Sequence, residues 1–359
     1  MKRALRIYPQ DARLWEVALN AAIELKDKAM VDASIEALRV QRAMTSYHQY
    51  CVARFINDTG DPDEALKRMS VIISQEPTNP EFLFYIGQLY FNRGNYDSAS
   101  QYFEKTIEYD SSNPESYYYA GRCYYELKRY NNALSSFSEA RNKAETNPTY
   151  ALWIGLAQKS LDMNEEALRS FTVVIDTRAP MGKIPTNMSA SEQEELAQAY
   201  QQRGILNSAR QRRKEAQSDF DLAAKLAPEN MQFVREYVVF LYETGNSKAV
   251  LDRIKVLEQK HEMDAIRYYV VGLTYLQVGQ REQALKALET ARDKGFADLE
   301  QTGIAGLRDS AEIYERIGYM YRDVGRKKEA VAMLTKYLEK ARYLSDSARR
   351  EIQHELSSL

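Results

Sequence analysis

Residues 80–110 read PEFLFYIGQLYFNRGNYDSASQYFEKTIEYD, and this stretch decides the fold. Ile86, Gly87 and Tyr90 fall on one face of a helix. Asn92-Arg93-Gly94-Asn95 then makes a turn, with Gly94 suited to a left-handed cap. Ala99, Phe103 and Thr106 form the inner face of a second helix running back along the first. Gly87 and Ala99 occur where two helices must approach closely, since a large side chain there would hold them apart. Neither helix of such a pair buries its apolar face alone, so neighbouring copies have to stack.

The copies are found by working outward in steps of 34 residues. Gly87, Gly121 and Gly155 are one such series; Ala65, Ala99, Ala133 and Ala167 are a second, and Phe103, Phe137 and Phe171 a third. The register predicts units beginning at Ala12, Ser46, Pro80, Pro114 and Pro148, then at Ala197, Met231 and Ala265, and finally at Ala311. Glycine returns at Gly204, Gly272 and Gly318, and alanine at Ala216, Ala284 and Ala330. Leu19 and Val238 replace the glycine in two units, which are expected to pack less regularly, and Val31 and Val250 replace the alanine.

The predicted organisation is therefore a preceding repeat's tail at 1–11, five contiguous units over 12–181, an insertion at 182–196 and three units over 197–298. A second insertion at 299–310, a ninth unit at 311–344 and a capping helix at 345–359 complete it. Ala4 to Pro9 reads as the end of a second helix whose unit starts before Met1, so a fragment of a longer protein is expected. In the first insertion, Pro185, Asn187 and Ser189 predict a loop, and Ser191-Glu192-Gln193-Glu194 has the spacing of a capping box opening an early helix. Gly303 and Gly306 predict a loop with a short helical turn in the second.

Composition is that of a soluble folded chain: 44% hydrophobic, 28% charged, formal charge −2. That balance supplies no global field for nucleic acid or an anionic membrane, and no nucleic-acid partner is expected. No apolar run reaches the length of a membrane span. The basic runs Arg210 to Lys214 and Arg326 to Lys328 fall at turns within units and read as solvated charge. Cys51 and Cys123 lie two units apart and are expected as buried free thiols. His48, His261 and His354 belong to three distant units, and no Cys/His group has zinc spacing, so no metal, cofactor or catalytic centre is expected. A cytoplasmic location is favoured, with the periplasm as the alternative.

The pattern resembles the tetratricopeptide repeat family. Ile86, Gly87, Tyr90, Gly94, Tyr96, Ala99, Phe103 and the helix end near Asp110 carry the likeness, and Pro77 and Pro228 stand where the family closes its second helix. The resemblance implies an all-α, right-handed superhelical solenoid of antiparallel helix pairs whose first helices line a concave face. Helical geometry then puts the second, fifth, ninth and twelfth residues of each unit on that wall.

Those places hold Tyr47, Tyr50, Arg54 and Asn57; Glu81, Phe84, Gln88 and Phe91; Glu115, Tyr118, Arg122 and Tyr125; Thr149, Leu152, Leu156 and Lys159. Tyr85, Tyr119 and Trp153 sit beside them, whereas Tyr90 and Tyr124 read as core. Aromatic residues interleaved with arginine favour protein binding, because they bury large areas with few rotatable bonds. The candidate groove is Tyr47, Tyr50, Arg54, Phe84, Gln88, Phe91, Tyr118, Arg122, Tyr125 and Trp153, and the later units offer a more mixed Arg235, Tyr242, Tyr269, Leu273, Glu315 and Tyr319.

Family members that grip a C-terminal carboxylate use lysine, asparagine and arginine at places held here by Glu16, Asn20, Cys51, Glu81 and Tyr85, so that clamp is not expected. The asparagine ladder of sugar-transferase members is replaced by Tyr85, Tyr119 and Trp153. The expected function is a non-catalytic scaffold that binds a peptide or helical segment of a partner protein. The alternatives are a regulatory or targeting segment of a longer enzyme or signalling protein, and self-association through the terminal repeats.

Overall fold

The computed structural model describes residues 2–228, 230–260, 264–296 and 310–359, without the side chains at 2, 231, 232, 234, 235, 253 and 256–260. Gly303 and Gly306, His261, the Arg235 side chain and nearly all of the 299–310 insertion therefore lie outside the described residues.

A first unit spans Met1–Thr177 and a second Arg178–Leu359. The first opens with α1 (Lys2–Ile7), followed by the pairs α2 (Ala12–Glu24) with α3 (Lys28–Val40) and α4 (Ser46–Asp58) with α5 (Pro62–Gln75). The pairs α6 (Pro80–Asn92) with α7 (Tyr96–Tyr109) and α8 (Pro114–Glu126) with α9 (Tyr130–Lys143) follow. Its last pair is α10 (Pro148–Ser160) with α11 (Asn164–Arg178), the latter ending at the unit boundary. The second unit contains α12 (Ala190–Ala209) with α13 (Arg213–Leu226) and α14 (Met231–Glu243) with α15 (Ser247–Lys260). The pairs α16 (Ala265–Gln277) with α17 (Arg281–Asp293) and α18 (Glu312–Asp323) with α19 (Lys327–Lys340) precede a last helix, α20 (Asp346–Ser358). Every regular element among the described residues is helical, and each pair is joined by a short turn that reverses the chain.

Local sequence sets where these helices begin. Asn79, Asn113 and Asn147 cap α6, α8 and α10, each accepting a backbone N–H with its side-chain oxygen at 3.1, 2.9 and 3.0 Å. The following Pro80, Pro114 and Pro148 occupy the first turn, where the missing N–H costs nothing. Three helices thus start in one phase, and their side chains fall into columns.

The glycine column does what its spacing predicts. A Cβ on Gly87, Gly121 or Gly155 would come within 2.8, 2.7 and 2.7 Å of the rings of Phe103, Phe137 and Phe171. Each ring is fully buried, so each glycine is the slot that lets a second helix close on a first. In the second unit Leu288 and Leu334 take the ring's place against Gly272 and Gly318.

The early helix start is found, but the cap differs from the expected one. Ser189, not Ser191, caps α12 and forms the capping box with Glu192. Both serines have a glutamate three residues on, and the chain takes the earlier, preceded by a 3-10 turn at Pro180–Gly182.

Candidate functional site

In the first unit the columns bring aromatic rings of α6, α8 and α10 into one interlocked row. Phe84 and Phe91 of α6 meet Tyr119 of α8 edge-on at 5.6 and 5.4 Å. Tyr118 and Tyr125 meet Trp153 of α10 at 6.3 and 5.6 Å, also edge-on. Such pairs add about 0.5–1.5 kcal/mol each beyond the area they bury. The inner edge of the row is anchored in core. Phe84 and Phe91 pack on Ala99, Phe103, Ala120 and Cys123, while Tyr118, Tyr125 and Trp153 pack on Ala133, Phe137, Ile154 and Ala157. All five rings remain half-buried.

Arg122 lies among these rings. Its guanidinium sits 4.1 Å from the Trp153 ring centre, 5.1 Å from Phe91 and 5.8 Å from Tyr118. One terminal nitrogen donates to the Tyr118 hydroxyl at 3.0 Å, and the buried Nε has no acceptor among the described residues. Gln88 is half-buried on α6 between Phe84 and Phe91 in sequence.

The α4 end of the row is different. Tyr47 is 54% exposed, and Arg54 is exposed with its guanidinium 5.6 Å from the Tyr50 ring. Tyr50 corrects an expectation: it is only 5% exposed, enclosed by Phe82 at 5.2 Å and Tyr85 at 5.3 Å, so its ring belongs to the core. Burial pushes its phenol up to about 12, which keeps it a neutral donor at physiological pH. Burial likewise raises Tyr85, whose hydroxyl has no partner among the described residues. Leu152 and Leu156, also expected on the wall, are 1% and 7% exposed and are core residues.

Tyr119 was absent from the candidate set and proves to be its hub, stacked on Phe103 at 5.4 Å with Phe84, Phe91 and Tyr118 around it. The available signal was its place in the column Tyr85, Tyr119, Trp153. Tyr90 and Tyr124, expected as core, are half-buried; Tyr90 stacks on Tyr102 at 5.5 Å, and Tyr124 donates to Glu104.

In the second unit Tyr269 and Leu273 are buried, while Tyr242, Glu315 and Tyr319 are half-buried. Burial, and then the neighbouring Glu312, raise the Glu315 carboxyl above its ordinary value. His48 completes the capping box of α4 with Thr45. Both cysteines are free, Cys51 half-buried and Cys123 buried. Among the described residues no three His, Cys, Asp or Glu side chains gather as a metal site, and no helix is long and apolar enough to cross a membrane.

A family model described as anaphase-promoting complex, cyclosome, subunit 3 matches residues 42–140, and a tetratricopeptide repeat model matches residues 311–341. No curated protein matches the sequence. Among solved structures, the chain is similar to the C-terminal part of a tetratricopeptide repeat-containing protein from Cytophaga hutchinsonii. That likeness is 20% identical with a TM-score of 0.54, covering 65% of this chain and 90% of the other. It is also similar to a tetratricopeptide repeat protein from Parabacteroides merdae, at 16% identity and a TM-score of 0.52, covering 70% and 93%. At these identities the likeness speaks for the fold alone. With the glycine slots and capped helix pairs described above, and with a tetratricopeptide repeat model matching residues 311–341, the chain has the fold of tetratricopeptide-repeat proteins.

Proposed function

We propose that this protein is a non-catalytic interaction scaffold that holds an extended or helical segment of a partner protein on the aromatic face of α4, α6, α8 and α10. The observation that carries the reading is the row of half-buried rings, Phe84, Phe91, Tyr118, Tyr125 and Trp153, arranged around Arg122. Half-buried aromatic rings held rigidly by a core are ready-made anchors: their inner edges are fixed, so little conformational entropy is lost when the outer edges are covered. Tyr47, Arg54 and Gln88 would border the same segment, with Tyr50 supporting the floor. We further read the array as nine units divided by the segments 182–196 and 299–310, the first of which holds the opening turns of α12.

The test is to substitute Phe84, Tyr118 and Arg122 together by alanine and to compare capture of proteins from the native lysate with that by the unaltered chain. Loss of a captured partner with an unchanged helical circular-dichroism spectrum supports the groove. Unchanged capture moves the contact elsewhere.

A second reading is self-association through the first helix pairs. Ile7, Tyr8, Val17, Leu25 and Val40 are all exposed in this short region. Light scattering over a dilution series that shows a monomer throughout removes this reading.

A further inference from the structure

We infer that the segment bound on this face presents a single carboxylate side chain to Arg122, beside an apolar or aromatic residue that covers Trp153; this rests on the groove reading above. Arg122 is a cation held in place and left without an anion. Three rings surround its guanidinium, and among the described residues its one hydrogen bond goes to the Tyr118 hydroxyl and its Nε has no acceptor. Among the described residues no carboxylate lies within ion-pair distance of it. Arginines at the turns of the same unit are treated otherwise: Arg93 reaches Asp63 at 2.6 Å and Arg129 reaches Asp97 at 3.3 Å.

A half-desolvated guanidinium gains most from a carboxylate, which can take two of its N–H groups at once in a charge-assisted contact. The rings around it exclude water and hold it in one orientation, so the geometry is set before anything binds.

The same wall argues for one carboxylate and against a polyanion. Glu81 and Glu115 stand at the N-terminal ends of α6 and α8. Glu115 already accepts from the Tyr150 hydroxyl at 2.7 Å. It lies seven residues before Arg122 on α8, or about 10 Å along the axis. A phosphorylated segment or a nucleic acid spanning that distance would meet these acids, whereas one carboxylate over Arg122 would not. The partner's remaining edge, facing Glu81, is best neutral or basic.

The chain supplies its own reporter, because Trp15 and Trp153 are its only tryptophans. In a Trp15→Phe background, emission reports on the ring beneath Arg122 alone. Random 12-residue peptides displayed on phage and selected on the full chain are the probe. The expected result is enrichment of peptides with Asp or Glu next to an apolar residue, which shift Trp153 emission on binding. Their affinity should fall at least about tenfold when that acid is changed to its amide, and by a similar factor in Arg122→Gln; Arg122→Glu should select Lys or Arg at the same place. Peptides that shift Trp153 emission but bind equally well as amides overturn the carboxylate while leaving the groove. Tighter binding of phosphoserine versions overturns it in favour of a phosphorylated partner. Failure to select any peptide that moves Trp153 emission overturns both readings.

Discussion

The pairs α8/α9 and α12/α13 begin from one rule and hold their helices together in two ways. In both, a glycine on the first helix faces a phenylalanine sixteen residues later, Gly121 with Phe137 and Gly204 with Phe220. In α8/α9 the ring fills the slot, and the residues around it are Ala120, Tyr124 and Ser136. In α12/α13 the same three places hold Arg203, Asn207 and Asp219. Asp219 accepts from Arg203 twice, at 3.0 and 2.7 Å, and from Asn207 at 3.1 Å. Its Cβ, not the ring, is then the nearest atom that a Cβ added at Gly204 would meet, at 3.3 Å. The first pair is closed by shape, the second by a charged clasp, and that difference decides how each responds to substitution.

Breaking the clasp should have the largest effect. Asp219→Ala removes the acceptor shared by Arg203 and Asn207 from a site where the carboxylate is almost wholly enclosed. The expected loss is about 3 kcal/mol, since the enclosed acceptor that gathers three hydrogen bonds is lost. Amide hydrogen exchange in α12 and α13 measures it locally. The double change Arg203→Ala with Asp219→Ser, which writes two of the three α8/α9 residues into this pair, should cost less than the single change. Equal losses would mean that the cost lies in losing the Asp219 acceptor itself and not in leaving Arg203 beside the gap.

Filling the slot sharpens the same contrast. Gly121→Ala puts a methyl 2.7 Å from two atoms of Phe137, which is fully buried and flanked by Tyr118 and Trp153. The ring has nowhere to go, so overpacking should outweigh the gain in helix propensity by about 1–2 kcal/mol. At Gly204 the new methyl meets nothing closer than 3.3 Å. There the two contributions should cancel to within about 0.5 kcal/mol. Thermal unfolding of the two variants reads the difference, and a Gly204→Ala variant as damaged as Gly121→Ala would erase it.

Much of this was legible in the sequence, for a physical reason. A 34-residue period repeats one close helix contact, so glycine, alanine and phenylalanine columns report the fold and its tight points directly. What the columns leave undetermined is how far a neighbour reaches. The face of α4 places Tyr50 on the wall, yet Phe82 and Tyr85 come from α6 to cover it. Ser189 and Ser191 satisfy one capping pattern equally, and the choice depends on how the preceding loop approaches. The Arg203–Asp219 clasp joins residues sixteen apart on two helices, a spacing with no meaning until the helices are paired. Arg122 was legible as a wall residue, but its enclosure by three rings from three helices was not.

The smallest prediction concerns the turn that the two pairs share. Seven residues after the glycine, where α6/α7 has Gly94 in the left-handed region at φ 73°, α8/α9 has Lys128 at φ 59° and α12/α13 has Gln211 at φ 63°. A side chain there crowds its own carbonyl, at about 1 kcal/mol, and glycine relieves it while giving back part of the gain as freedom of the unfolded chain. Lys128→Gly and Gln211→Gly should each stabilise by roughly 0.5 kcal/mol, read as a small rise in the unfolding midpoint. The two gains should match, because the strain belongs to one residue's backbone and not to what lies between the helices. A clear gain at Lys128 with none at Gln211 would show that the charged clasp also sets the turn, and would carry the difference between the pairs into the backbone itself.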